Sequence, residues 1–328
     1  MNFKHLAPMS HLEDCNPGGT TRCGRVKQGN QIMKPTGLPL PLSVALIVLL
    51  ATSLQAQPTA HYCPGSEGLL GASVPPPGWY VRDYNVFYTA DTLNNSSGQS
   101  IGPANFKAIT YAQVPRIIWM SNWKFLGGDV GVSALLPLVY QNLTAGLYRH
   151  STFGVGDFFL DSPVAWHTKQ FDFVVAPGFW APTGDSSAPP TTDAGLGYWG
   201  GMLTFGATWH MDTAKTWALS ILNRYEVNGE QRDTHITPGN AWTLEWGLSK
   251  SLWKNIEVGP AGYFQMQTTA DSGPAATSHR DRVAAVGPEI AGVVPKVEVN
   301  VSLRYLYECV ADNRAQGQTI TLTLTKRF

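Results

Sequence analysis

The stretch Val297–Glu308, VEVNVSLRYLYE, decides the fold. Val297, Val299, Val301, Leu303, Tyr305 and Tyr307 share one parity; Glu298, Asn300, Ser302, Arg304 and Glu308 share the other. Successive side chains of a strand point to opposite faces, so this period of two reads as a strand with one apolar and one polar face. The pattern recurs outward from there. Ile320, Leu322 and Leu324 alternate with Thr319, Thr321, Thr323 and Thr325. Trp242, Leu244, Trp246 and Leu248 alternate with Thr243, Glu245, Gly247 and Ser249. Val130, Val132, Ala134, Leu136, Leu138 and Tyr140 oppose Asp129, Gly131 and Ser133.

Twelve such segments can be marked: 78–89, 106–121, 129–140, 155–168, 171–181, 195–211, 215–228, 240–252, 256–268, 281–293, 297–308 and 318–328. Connections after the even-numbered segments are short. Those after the odd-numbered ones are longer and rich in Gly, Ser, Asn, Asp and Pro, as in 91–104, 182–194 and 270–280. Strict alternation of this kind predicts an all-β chain forming an antiparallel transmembrane β-barrel, with short periplasmic turns and long external loops. A soluble β-sandwich is the competing fold, but its outer faces would carry charge. Segments 78–89 and 106–121 fit least well. Arg82 lies between Tyr80 and Tyr84, and Pro115 predicts a bulge or a shortened strand, because proline cannot donate to the ladder.

Composition agrees. Only 14% of the 328 residues are charged, and 23 basic residues balance 23 acidic ones. A nucleic-acid binder would show a basic excess, and a chain with 11% aromatics has too much apolar surface to stay disordered.

Residues 38–50 form the longest apolar run, too short for a spanning helix, which needs about 20 residues. Lys34 precedes it and Ala51, Ser53 and Ala56 follow, the arrangement of a secretory signal. The signal begins most naturally at Met33, with cleavage expected after Ala56. Residues 1–56 are therefore read as an N-terminal extension plus signal, 57–77 as a periplasmic N-terminal segment and candidate plug, and 78–328 as the barrel. Export leaves Cys63 and Cys309, whose pairing the sequence leaves open.

Parity assigns the candidate lumen lining: Arg116, Asp129, Asp157, Asp161, Asp172, Trp180, Arg224, Glu226, Glu245, Glu257, Tyr263, Gln265, Glu298 and Arg304. Charges of both signs there can form a selectivity lining or pair with one another and brace the barrel. Trp180 and Tyr263 are the inward aromatics that could meet a ligand. Trp79, Tyr80, Trp119, Tyr140, Trp166, Phe179, Trp209, Trp217, Trp242, Tyr305 and Phe328 read as interfacial girdle or lipid contact. No Gly-x-Ser-x-Gly elbow, HExxH or aspartate-rich calcium loop is present, so neither a catalytic constellation, a metal site nor a cofactor is expected.

Glu67–Tyr80 (EGLLGASVPPPGWY) resembles the opening of mature proteins in the phenol meta-pathway (MetA-pathway) degradation family. Gly154-Val155-Gly156-Asp157, the loop Pro182-Thr183-Gly184-Asp185 and the strand around Arg304-Tyr305 are similar to that family as well. The resemblance spans residues 65–328. It implies an outer-membrane barrel that helps small hydrophobic or aromatic compounds across, with no catalytic step. Expected partners are outer-membrane lipid, such solutes, and the barrel-assembly machinery through the last strand and Phe328. The competing functions are a non-transporting structural or lipid-binding barrel and, behind it, a lipid or ester hydrolase.

Overall fold

The computed structural model describes residues 60–187, 192–253, 255–274 and 276–328. The signal, its start and its cleavage site lie outside the described residues. Fifteen strand segments run in chain order: β1 (Gly78–Leu93), β2 (Lys107–Phe125), β3 (Gly128–Leu135), β4 (Leu138–Ala145), β5 (Tyr148–Val155), β6 (Phe158–Asp161), β7 (Val164–His167), β8 (Phe171–Ala181), β9 (Gly200–His210), β10 (Trp217–Asn228), β11 (Ala241–Trp253), β12 (Ile256–Gln267), β13 (Arg282–Val294), β14 (Val299–Asp312) and β15 (Ala315–Arg327). Neighbours pair antiparallel, and β1 pairs with β15, so the sheet closes on itself. β3 and β4 are one crossing broken at Leu136-Pro137; β5, β6 and β7 are another, broken at Gly156-Asp157 and Ser162-Pro163. The result is a barrel of twelve strands.

Alternation of faces accounts for the closure. Along β14, Leu303 and Tyr307 are 49% and 52% exposed, whereas Arg304 and Glu308 are 2% and 1% exposed. An apolar outside around a polar inside is the arrangement of a membrane-spanning barrel. Aromatics gather at the rims: Trp79 stacks on Trp119 at 5.8 Å and Phe171 on Trp209 at 6.5 Å near the short turns. Tyr80 departs from its expected place in the girdle. It faces inward, 6% exposed, and donates to Pro76 O at 2.7 Å.

Three further readings change. Residues 141–154 are not an open loop but the paired hairpin β4–β5, closed by Gly146-Leu147. The connection after β14 is a tight turn at Asn313-Arg314, where Asn313 adopts φ +55°, and both strands are longer than expected. Polar residues that alternate through a long pairing look like loop in sequence. Pro115 causes no bulge against β1, where Asp83 faces it in unbroken register. On its other side β2 changes partner from β3 to β4, so the missing donor falls where the neighbouring crossing is already broken.

The break at Gly156-Asp157 reshapes the lumen. β5 turns His150, Thr152 and Gly154 inward, while β6 turns Phe159 and Asp161 inward. The slip in parity between them brings Asp157 inside, 4% exposed.

Candidate functional site

Residues 60–77 run through the lumen and are held by side chains from many strands. Glu67 is the hub. It accepts from Arg82 at 2.9 Å, Arg116 at 3.3 Å and the Tyr84 hydroxyl at 3.0 Å, with Arg224 at 3.6 Å. Burial pushes its carboxyl up, but the surrounding guanidiniums, Arg82 first, and the Tyr84 hydroxyl pull it down to about 2. The layer continues outward: Arg116 donates to Asp161 at 2.8 Å, Arg224 pairs with Glu245, and the Tyr62 hydroxyl donates to Glu245 at 2.8 Å. The Arg224 guanidinium also lies 4.0 Å above the Tyr62 ring.

Two further anchors flank this hub. Arg304 donates to Glu289 and to Ser66 O, each at 2.9 Å, and Leu69 N–H donates to Glu289 at 3.1 Å. Gly247 in β11 leaves the room the chain needs, since a Cβ there would sit 2.5 Å from Leu69 Cα. Nearer the short turns, Ser73 donates to Asp172 at 2.7 Å. Asp172 also meets His167 at 2.9 Å and His210 at 3.0 Å. Ser73 bonds the carboxylate directly, and among the described residues no hydrogen bond joins its hydroxyl to an imidazole, the contact that activates a serine nucleophile.

At the start of the segment, the His61 ring lies parallel to Trp180 at 5.2 Å and edge-on to Tyr198 at 4.3 Å. His61 Nδ1 bonds Glu226 at 2.7 Å, and Nε2 faces Asp157 at 3.4 Å. Burial pulls the imidazole down, but the two carboxylates beside it outweigh that and raise it to about 9. Asp157 also accepts from Gly184 N–H at 2.9 Å and Leu196 N–H at 2.7 Å. The bulged strand, the 182–199 connection and the lumen segment therefore meet at one carboxylate.

Two of the cavities that the described residues enclose lie beside the segment. The larger, of about 300 Å³, is walled by Val86, Ala112, Val114, Val139 and Leu143 on β1, β2 and β4, with Tyr62, Phe159, Trp180 and Met202 packed as one cluster at its floor. The smaller, of about 60 Å³, lies beneath the charged layer, and Glu67, Arg116, Asp161 and Arg224 border both. Cys63 opens onto the larger cavity, and Cys309 sits on the outer face of β14; both are free thiols. Burial pushes the Cys63 thiol up to about 11.

Of the residues that parity assigned to the lumen, Arg116, Asp157, Asp161, Trp180, Arg224 and Tyr263 line the larger cavity. Glu226, Glu245, Gln265 and Arg304 instead hold the 60–77 segment, Gln265 by donating to Tyr62 O at 3.1 Å. Asp129 pairs with Lys124 and Asp172 with the two histidines, both near the short turns. Glu257 is half-buried at that same end. Glu298 is misassigned: it lies exposed in the turn between β13 and β14 with φ +52°, one residue before β14 begins. Sequence reasoning missed His61, Tyr62, Glu67, Arg82, Tyr84 and Tyr198, and also Tyr88 and Arg314, which line the larger cavity. Arg82 between two tyrosines of the same parity was the available signal, since a cation in that position marks the inward face.

A closed antiparallel barrel with an apolar exterior and a charged, segment-filled lumen defines the class: an outer-membrane-type β-barrel. The chain belongs to the family described as "Putative MetA-pathway of phenol degradation", whose sequence model matches residues 90–324. It matches no curated protein by sequence. Among solved structures it is similar to an outer membrane channel from Pseudomonas putida F1, at 13% identity and TM-score 0.71, covering 82% of this chain and all of that one. The β domain of the Bordetella autotransporter BrkA gives 13% identity, 77% and 100% coverage and TM-score 0.48. The translocator domain of NalP from Neisseria meningitidis gives 12%, 88% and 98%, and 0.43.

Proposed function

We propose that the protein is an outer-membrane channel for passive uptake of small hydrophobic or aromatic solutes, and that residues 60–77 act as its plug. The observation that carries this reading is the larger cavity. An apolar cavity of about 150 Å³ is enough to hold benzene, and this one is about 300 Å³ with an aromatic floor. Eight strands leave an interior just filled by side chains, and about 16–18 leave an open aqueous channel. A twelve-stranded lumen falls between and needs a filling segment to stay closed. Membership of a family tied to phenol degradation supports the solute class. Passage then requires the Glu67 layer to part, because that layer separates the two cavities.

The test is flux. Protein folded from residue 57 into liposomes should admit phenol and toluene faster than protein-free liposomes, and a bilayer recording should show openings that these solutes alter. A folded, heat-modifiable barrel with neither property would refute the channel and favour a surface or lipid-binding role.

A further inference from the structure

His61 does not merely anchor the segment; it occupies a slot built by other parts of the chain. Trp180 comes from β8, Glu226 from β10, Asp157 from the strand bulge, and Tyr198 from the 182–199 connection. The Asp157 and Glu226 side chains are each 3% exposed. Gly184 and Leu196 N–H groups hold Asp157 in place without help from His61. Removing the imidazole would therefore leave a flat aromatic recess with a desolvated carboxylate at either end. His61 satisfies this recess incompletely. Its Nε2 stands 3.4 Å from Asp157, longer than a good N–H···O bond of about 2.7–3.2 Å. The Trp180 indole N–H, buried beside it, has no hydrogen-bond partner among the described residues. His61, Asp157 and Trp180 also border the larger cavity, so a molecule resting there is already in contact with the slot.

We propose that the recess formed by Trp180, Tyr198, Asp157 and Glu226 is a solute-binding site, which the passing molecule takes by displacing His61. Its ligand class is a planar ring carrying hydrogen-bond donors or a positive charge. The stacked face accepts the ring, the carboxylates accept the donors, and an anionic ring is rejected because it would meet two carboxylates with no cation between them. The proposal rests on the channel reading and adds to it a chemical preference and an opening step: the solute imitates the side chain that locks the plug.

The test is chemical complementation. In His61→Ala, isothermal titration in detergent should show saturable binding of imidazole, hydroquinone and benzylammonium, with benzoate weaker by about tenfold or more, as like charges in a desolvated site require. In the unmutated protein, hydroquinone should speed labelling of Cys63, two residues from His61, severalfold; this arm holds even if His61→Ala does not fold. No saturable binding to a folded His61→Ala barrel, benzoate binding as tightly as hydroquinone, or Cys63 labelling indifferent to hydroquinone would each overturn the proposal. Phenol flux that persists alongside such a failure leaves the channel standing and removes only the slot; slot binding without flux does the reverse.

Discussion

Glu67→Gln should unlock the plug at neutral pH. The substitution keeps the shape and the hydrogen-bonding capacity toward Tyr84 but removes the charge that Arg82, Arg116 and Arg224 share. Arg116 retains Asp161 and Arg224 retains Glu245, but among the described residues Arg82 is left with the hydroxyls of Thr325 at 3.1 Å and Tyr84 at 3.5 Å and no carboxylate. The magnitude comes from linkage. The Glu67 carboxyl falls from an ordinary 4.5 to about 2 when the segment is seated. At about 1.36 kcal/mol per unit, its ionised form favours the seated state by about 3 kcal/mol. A depressed carboxyl contributes above its free value, so this contribution is complete at pH 7 and is lost as pH falls from 4.5 toward about 2. Since about 1.4 kcal/mol is a factor of ten, Glu67→Gln should raise the ratio of released to seated plug about a hundredfold. The assay is single-channel open time in a planar bilayer, paired with the rate at which a small maleimide labels Cys63. Acidification of the unmutated protein through 4.5 toward about 2 should lengthen the open time in the same direction as the mutation; labelling is read at fixed neutral pH, because protons remove the thiolate. Unchanged labelling and unchanged opening in a folded Glu67→Gln barrel would refute the view that this carboxylate holds the segment.

Other outcomes rest on the same contacts. His61 is raised from 6.5 to about 9, so its contribution is complete below 6.5 and lost as pH rises through about 9; hydrogen exchange in residues 60–77, corrected for base catalysis, should accelerate across that range, and a His61→Gln variant should lose the trend. Gly247→Ala would place a Cβ 2.5 Å from Leu69 Cα; the barrel should remain heat-modifiable while Cys63 labels faster, and an unchanged rate would mean the segment shifts without leaving. Cys63 and Cys309 lie on opposite sides of the wall, so non-reducing electrophoresis should show no intramolecular disulfide. A lipid-soluble reagent should mark Cys309 first, because the Cys63 thiol, raised to about 11, holds little thiolate at neutral pH.

The wall of the barrel is legible in the sequence because parity is a local property. Val301, Leu303 and Tyr305 alternate with Ser302 and Arg304 whatever their neighbours do, and each falls on the expected face. Turns are less legible. Asn313-Arg314 closes a hairpin in two residues, yet the polar run around it reads as a loop. The lumen was visible as a set of inward charges but not as a set of partners. Parity says that Arg304 points in; it cannot say that Arg304 meets Ser66 O rather than another strand. Residues 60–77 carry no periodicity at all, so Glu67 and His61 gave no local sign of the groups they join. The four family-like stretches offered the better clue. Gly156-Asp157 and Thr183-Gly184 turn out to touch, through Gly184 N–H on Asp157 and Phe158 N–H on the Thr183 hydroxyl at 2.9 Å.

The contacts of the lumen segment also fix a sequence of events during biogenesis. Ser66 is held by a residue 238 positions later and Leu69 by one 220 positions later. Both partners lie on strands close to the final closing strand. A segment synthesised before the first strand thus has its seat built by nearly the last ones, and loop closure on that scale is slow. Until β13 and β14 have joined the wall, Ser66 and Leu69 lack the Arg304 and Glu289 side chains that hold them, even where β1, β2, β8 and β10 already offer partners to Glu67, Ser73 and His61. Full seating of the segment is accordingly a late event, and protection of Ser66–Leu69 is a natural stopwatch for completion of the barrel.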